Sequence, residues 1–270
     1  MKIGILYIGI GRYSIFFKGF YESCEKYFLP KSEKTYYIFS DKELKEWEGR
    51  GNIRLIKEKD YGWPGNTLYR FHMFKKIEEE LKKNDYIFFF NSNYNFIDFI
   101  YENEILFKKE EIIALDHDIK KEKHKIPYDR NSKSQAFFNF DEGGKYYQGG
   151  LNGGKTESYI ELINSCITMI EEDKKINYIA EYNDESYLNK YLVDKNVFSL
   201  CKDYGMPEEW GISLKTKGIF LDKNKILGDK QIKNQKKELY GFIGRKRSYL
   251  NKFRYLVFKM KKLIKGNRGK

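Results

Sequence analysis

Apolar runs and helical stripes alternate along most of this chain. Lys2–Ile8 is a nearly continuous apolar run and predicts a buried strand. Gly9-Ile10-Gly11-Arg12-Tyr13 follows, with Ser14 as a candidate helix cap and Phe16, Phe17, Phe20, Tyr21 and Cys24 at helical spacing. Thr35–Ser40 and Asn52–Lys57 predict two more strands, and a helix is expected from about Asn66 to Lys83. Asp85 to Asn93 then reads as an apolar strand that ends in polar Asn91-Ser92-Asn93. Glu111–Leu115 predicts a short strand, and charged Asp116 to Lys133, which contains Pro127, predicts a loop. Gln148 to Gly154 is dense in glycine. Thr156–Lys174 carries Tyr159, Leu162, Ile163, Cys166, Met169 and Ile170 on one helical face. A helix over Asp184–Lys195 and short strands at Val197–Leu200 and Gly218–Leu221 complete the pattern. Alternation of this kind predicts an α/β sheet with ligands at the C-terminal ends of its strands.

Charge divides the chain where hydropathy does not. The net charge is +12, from 51 basic and 39 acidic residues. Eleven of the bases lie between Gly241 and Lys270, where there is no acid, so the first 240 residues carry 51 − 11 = 40 bases against 39 acids. This divides the chain into a domain over 1–240 and a basic tail over 241–270. In the tail, Tyr249, Leu250, Phe253, Leu256, Val257, Met260, Leu263 and Ile264 share a helical face opposite the bases. Such a helix suits an anionic membrane surface. Nucleic acid and a merely solvated tail are the rival readings. The apolar face favours the membrane over nucleic acid.

Aromatic residues make up 17% of the chain, so no single Tyr or Phe stands out by its type. Cys24, Cys166 and Cys201 are few, scattered and without C-x-x-C spacing, which fits buried free thiols in a reducing cytoplasm. The spacing of His72, His117 and His124 offers no zinc motif. The N-terminal run is too short for a signal peptide, and no apolar run approaches a membrane span.

Two stretches invite chemical readings. Asp184-Glu185 places adjacent carboxylates at a predicted helix start, where acids face the positive end of the helix dipole. Capping and catalysis are both open there. Adjacent acids diverge rather than flank one bond, which argues against a glycosidase. Gly149 to Thr156 matches the P-loop pattern, but the preceding Lys145-Tyr146-Tyr147-Gln148 is a poor buried strand. No later apolar strand ends in an acid to hold magnesium. A tight turn, or close approach of backbone to a ligand, explains the glycines better.

Several segments together resemble the family 6 glycosyltransferases, which include the histo-blood-group A and B transferases and the α-1,3-galactosyltransferases. They are Arg12-Tyr13 with Phe16 to Glu22, Tyr36 to Asp41, Ser134-Gln135-Ala136, Asp141-Glu142-Gly143 with Tyr146 to Gly150, and Asp184 to Tyr191. The match covers roughly Lys2 to Lys225 and is closest to the compact bacterial branch, which has Asn-x-Asn where animal members have Asp-x-Asp. The resemblance implies a GT-A type fold, a Rossmann-like mixed sheet flanked by helices. It implies transfer of N-acetylgalactosamine or galactose from a UDP donor to a galactoside in α-1,3 linkage, with retention of configuration.

Carried over by position, Ile8, Gly9, Ile10 and Tyr13 would hold the uridine, with Trp63 and Arg70 on the donor side. Asn91 and Asn93 would replace the metal-binding acids, so no divalent metal and no other cofactor is expected. Gln148, Gly149 and Gly150 would read the donor's C2 substituent, and glycine at 150 leaves room for an acetamido group. His117 and Tyr182 would meet the acceptor, Asp184 both sugars, and Lys223 the pyrophosphate. Glu185 would be the catalytic carboxylate, either as a nucleophile or as a stabiliser of a same-face reaction. The expected acceptor is a galactoside, fucosylated or lipid-linked, in bacterial surface-glycan synthesis. The expected location is cytoplasmic, peripheral on the inner face of the membrane.

Overall fold

The computed structural model describes residues 1–119, 122–228, 250–262 and 264. In chain order the elements are β1 (Lys2–Ile8), α1 (Phe17–Tyr27), β2 (Glu33–Ser40) and β3 (Ile53–Lys57). Next come α2 (Gly62–Leu68), α3 (Arg70–Lys75), α4 (Glu78–Leu81), β4 (Tyr86–Phe90), β5 (Tyr94–Phe96) and α5 (Glu102–Ile105). β6 (Ile112–Asp116), β7 (Tyr147–Lys155), α6 (Thr156–Lys175) and α7 (Asp184–Leu192) follow. The series ends with β8 (Val197–Leu200), β9 (Met206–Pro207), β10 (Gly218–Phe220) and α8 (Lys223–Leu227). Residues 250–262 are helical as well.

Seven strands form the main sheet in the order β3-β2-β1-β4-β7-β6-β8. All neighbours are parallel except β7, which runs antiparallel to both β4 and β6. The chain steps outward from β1 to β2 and β3, then returns to place β4 on the other side of β1. That reversal leaves a crevice beyond the C-terminal ends of β1 and β4, where open α/β sheets bind ligands. A small sheet, β5-β10-β9, stands beside it.

The apolar runs are continuous because the sheet is covered on both faces. Ile3, Ile5, Tyr7, Phe88 and Phe90 pack with Phe17, Phe20 and Cys24 of α1 on one side. Leu6, Ile87 and Phe89 pack with Phe71, Phe74, Tyr159, Leu162 and Ile163 on the other. Alternate residues of one strand thus enter different cores, as the two-residue period of a strand requires. Each fully buried Phe contributes about 1.5–3 kcal/mol of transfer free energy.

Three expectations change. The helix expected over Asn66–Lys83 is broken into α2, α3 and α4, with Tyr69 and Ile77 off helical geometry at the breaks. The glycine-dense stretch is neither a turn nor a P-loop but the central strand β7. A Cβ on Gly153 would lie 2.6 Å from the Ile87 carbonyl oxygen, and one on Gly154 would lie 2.3 Å from that of Glu111. These glycines let β7 sit tightly between β4 and β6. Cys24 and Cys166 are buried as expected, but Cys201 is exposed. The boundary drawn at residues 240–241 lies outside the described residues.

Candidate active site

The crevice at the sheet's reversal is a cavity of about 750 Å³. It is built from the sequence signals that follow β1 and β4. Ile8, Ile10 and Tyr13 line one wall, and Asn91, Ser92 and Asn93 line another. Gly9 lies just behind: its N–H donates to Phe39 O at 2.8 Å, which fixes the turn after β1. Trp63 stands 43% exposed at the rim. Its segment is held by Asp60, whose Oδ1 accepts from Gly62 N and from Asn66 Nδ2, both at 2.7 Å.

The side chain of Asn93 is almost wholly buried, and its Nδ2 donates to Leu221 O at 2.7 Å. Its Oδ1 has no hydrogen-bond partner among the described residues. Asn91 N donates to Gly150 O at 2.8 Å and so ties the end of β4 to β7. Both side chains are neutral amides, a weak donor set for a hard dication. Among the described residues no three His, Cys, Asp or Glu side chains converge as a metal site. The outer wall is α8, with Asp222 capping it through Asn224 N at 2.9 Å. Lys223 lies 5.5 Å over the Tyr13 ring, and Arg12 donates to Leu227 O, so the turn after β1 and α8 meet across the mouth.

Behind the crevice the two acids of α7 close on β7. Asp184 is buried and pairs with Arg70, Oδ2 to Nε at 3.0 Å. Arg70 Nη1 donates to Gly149 O at 2.6 Å. Gly149 N in turn donates to Glu185 Oε2 at 2.6 Å. One residue of β7, Gly149, therefore links both carboxylates, its carbonyl oxygen through Arg70 to Asp184 and its N–H directly to Glu185. A Cβ on Gly149 would lie 3.2 Å from Asp184 Oδ2 and 3.3 Å from Glu185 Oε2, so only glycine lets the acids approach this closely.

Burial pushes the Asp184 carboxyl up to about 7, with Arg70 opposing that rise and Glu185 adding to it. Burial also raises Glu185, while the Gly149 N–H, Tyr146, His117 and Arg70 favour its ionised form. Asn183, the residue before the acids, has φ 51° and ψ −127°, a left-handed backbone that turns the chain into α7. It makes no side-chain cap, so the start of α7 is not built as a capping motif.

The residues expected to meet the acceptor, His117 and Tyr182, lie around Tyr146 beside Glu185. His117 N donates to Tyr146 O at 2.8 Å, and the Tyr146 and Tyr182 rings stand 6.4 Å apart, edge to face. Tyr182 is 42% exposed and His117 is exposed. Tyr146 went unmarked as a site residue in the sequence because Tyr is so common here. Its buried hydroxyl lies beside Glu185 but short of full hydrogen-bond geometry. Gln148 is partly buried on β7. A Cβ on Gly150 would lie 2.9 Å from Asn91 Nδ2 and 3.0 Å from the Phe220 ring, and both of those side chains line the crevice. A side chain at 150 would thus crowd Asn91 and Phe220.

The Ser134-Gln135-Ala136 segment has a structural role. Ser134 Oγ and Gln135 N both donate at 2.7 Å to the buried Asp173, which also accepts from Tyr187 of α7 at 2.8 Å.

A Rossmann-like half-sheet with a crevice at its reversal, backed by two acids held at one glycine, is the arrangement of an α/β protein with a ligand site at its strand ends. Glycosyltransferase family 6 matches residues 1–219, and the chain belongs to that family. It is 37% identical over 227 residues to the O-antigen biosynthesis glycosyltransferase WbnI of Escherichia coli, an alignment that covers 83% of this chain and 96% of that one. It is 28% identical over 200 residues to the histo-blood group ABO system transferase 1 of Rattus norvegicus, covering 71% of this chain and 56% of that one. It is 27% identical over 209 residues to the globoside alpha-1,3-N-acetylgalactosaminyltransferase 1 of Mus musculus, covering 72% and 57%. The chain thus spans just over half the length of these two mammalian relatives. The mixed sheet flanked by helices is consistent with the GT-A fold of the family.

Proposed function

We propose that this glycosyltransferase moves N-acetylgalactosamine, or galactose, from its UDP donor to the 3-hydroxyl of a galactoside, with retention. The observation that carries this reading is the single β7 residue, Gly149, whose N–H and carbonyl hold Glu185 and, through Arg70, Asp184 together at the inner end of the crevice. The uridine lies along Ile8, Ile10 and Tyr13, the pyrophosphate beside Asn91, Asn93 and Lys223, and the sugar at Gln148 to Gly150. Asp184, oriented by Arg70, binds sugar hydroxyls. Glu185 faces the anomeric carbon and stabilises the positive charge that develops there, directly or as a nucleophile. His117 and Tyr182 flank the acceptor.

The leaving UDP gathers negative charge, and Lys223 and Arg70, both lining the crevice, support its stabilisation without a metal. Neutral Asn91 and Asn93 support a metal-independent reaction. Activity is accordingly expected to survive EDTA and to gain little from manganese; strict manganese dependence would contradict this. Gly150 supports N-acetylgalactosamine as the preferred donor, because bulk there would push Asn91 and Phe220 into the crevice. The O-antigen role of the Escherichia coli relative supports a bacterial surface-glycan acceptor.

Among the described residues no helix is long and apolar enough to cross a membrane. The basic 241–270 stretch supports peripheral attachment to the inner face of the cytoplasmic membrane. The deciding experiment is a transfer assay with UDP-GalNAc and UDP-Gal against an array of galactosides, with Glu185→Gln as control. Faster transfer from UDP-Gal would reverse the donor preference, and turnover of Glu185→Gln equal to that of the unaltered chain would refute the site.

A further inference from the structure

The 250–262 helix is apolar on two faces, and among the described residues only one of them is packed. The packed face rests on the segment that follows His117. Tyr255 stacks on His124 with centroids 4.3 Å apart and planes 6° from parallel. Phe140 meets Tyr255 at 5.3 Å and Phe258 at 5.6 Å. Lys262 pairs with Asp141 at 3.0 Å, and Asn251 Nδ2 donates at 3.2 Å to Glu181, the neighbour of Tyr182. The platform beneath is firm. Buried Arg130 donates to the carbonyls of Lys123, Ile126, Phe138 and Asn139, which folds that segment around its guanidinium.

The other face is open. At about 100° per residue, Leu250, Phe253, Leu256, Met260 and Ile264 form one stripe on the side away from Tyr255 and Phe258. These five are between 43% and 65% exposed. Lys252 and Lys259 run along one edge of the stripe, and Arg254 and Lys261 along the other. An apolar stripe bordered on both sides by cations matches a lipid surface with anionic headgroups, into which the stripe sinks while the bases stay at headgroup level.

We propose that this helix is a bridge between an anionic lipid surface and the acceptor side of the site. Its outer stripe lies in the membrane interface, and its inner face fixes the His117–Asp141 segment and Tyr182 beside that interface. The acceptor is then a saccharide anchored in the same surface, carried on a lipid and presented sideways to Glu185. The identity of the acceptor rests on the transferase reading above, whereas the lipid contact does not.

The test uses the full chain and vesicles of phosphatidylcholine with or without phosphatidylglycerol. Without any donor sugar, the chain is expected to pellet with the anionic vesicles and not with the neutral ones. A combined Phe253→Ser, Leu256→Ser, Met260→Ser chain should lose at least tenfold in vesicle affinity while keeping its turnover on a soluble galactoside. A combined Tyr255→Ala, Phe258→Ala chain should still pellet but lose its preference for a vesicle-embedded galactolipid over the soluble acceptor. Equal pelleting on neutral vesicles, or an unchanged affinity in the serine variant, overturns the proposal. So does a dimer that the serine substitutions dissolve, since a second copy would then cover the stripe. A chain that pellets as expected but transfers no sugar refutes the transferase reading and leaves the lipid contact standing.

Discussion

A methyl group on Gly149 would press on both carboxylates at once, at 3.2 Å and 3.3 Å from their oxygens. Gly149→Ala is therefore expected to lower kcat by about 10²-fold, the usual cost of shifting a catalytic group by a fraction of an ångström to an ångström. An unchanged far-ultraviolet dichroism spectrum would separate this from unfolding. Asp184 offers a second test at the same scale. Its carboxyl is raised to about 7 in the fold, well above the ordinary value near about 4. The folded chain thus holds a proton that the unfolded chain releases across that range. Its contribution to stability is greatest at low pH and falls as pH rises from about 4 to about 7. The stability of the unaltered chain relative to Asp184→Asn should decline across that window in denaturant titrations, and a relative stability that climbs instead would contradict the assigned burial.

At the scale of elements, β7 determines where the site is. It runs against its two neighbours, carries Gly149 at its start and joins directly to α6. The glycines at 153 and 154 admit it between β4 and β6. Gly154→Ala would set a Cβ 2.3 Å from the Glu111 carbonyl oxygen and is expected to cost about 1–3 kcal/mol in urea unfolding. Little of this was legible. Glycine has low strand propensity and carries no alternation pattern, so a glycine-rich central strand reads as a loop. The strands β1, β2, β4 and β6 were legible as continuous apolar runs because both faces of the sheet are covered, and the helix α6 because one buried face leaves a helical period. The broken helix between Gly62 and Leu81 was not. Its apolar positions keep helical spacing through the breaks, the first of which, at Tyr69, falls just before Arg70, the residue that pairs with Asp184.

At the scale of the molecule, the charge division and the docked tail helix bear on where the enzyme works. The first 240 residues are nearly neutral, so long-range attraction to an anionic surface comes from the stretch beyond Gly241. A chain ended after Arg245 is expected to keep turnover on soluble acceptors within a few-fold and to lose attachment to anionic vesicles. Loss of soluble-acceptor turnover to background would instead show that the tail completes the site. The packed face of the tail is invisible to a search for one amphipathic face. Tyr255 and Phe258 read as part of a basic helix, and only the position of His124 and Phe140 shows that they have partners.

The sequence by itself determined the α/β alternation, the family motifs, the pair of acids and the charged tail, because each leaves a local pattern in residue type or spacing. Only the folded contacts show that one glycine residue holds both acids and that Arg70 turns to Asp184. Tertiary structure alone decided that the tail helix has an inner and an outer face. These are contacts between residues 36 to 131 positions apart, formed by sheet order and loop packing. No local pattern encodes such proximity.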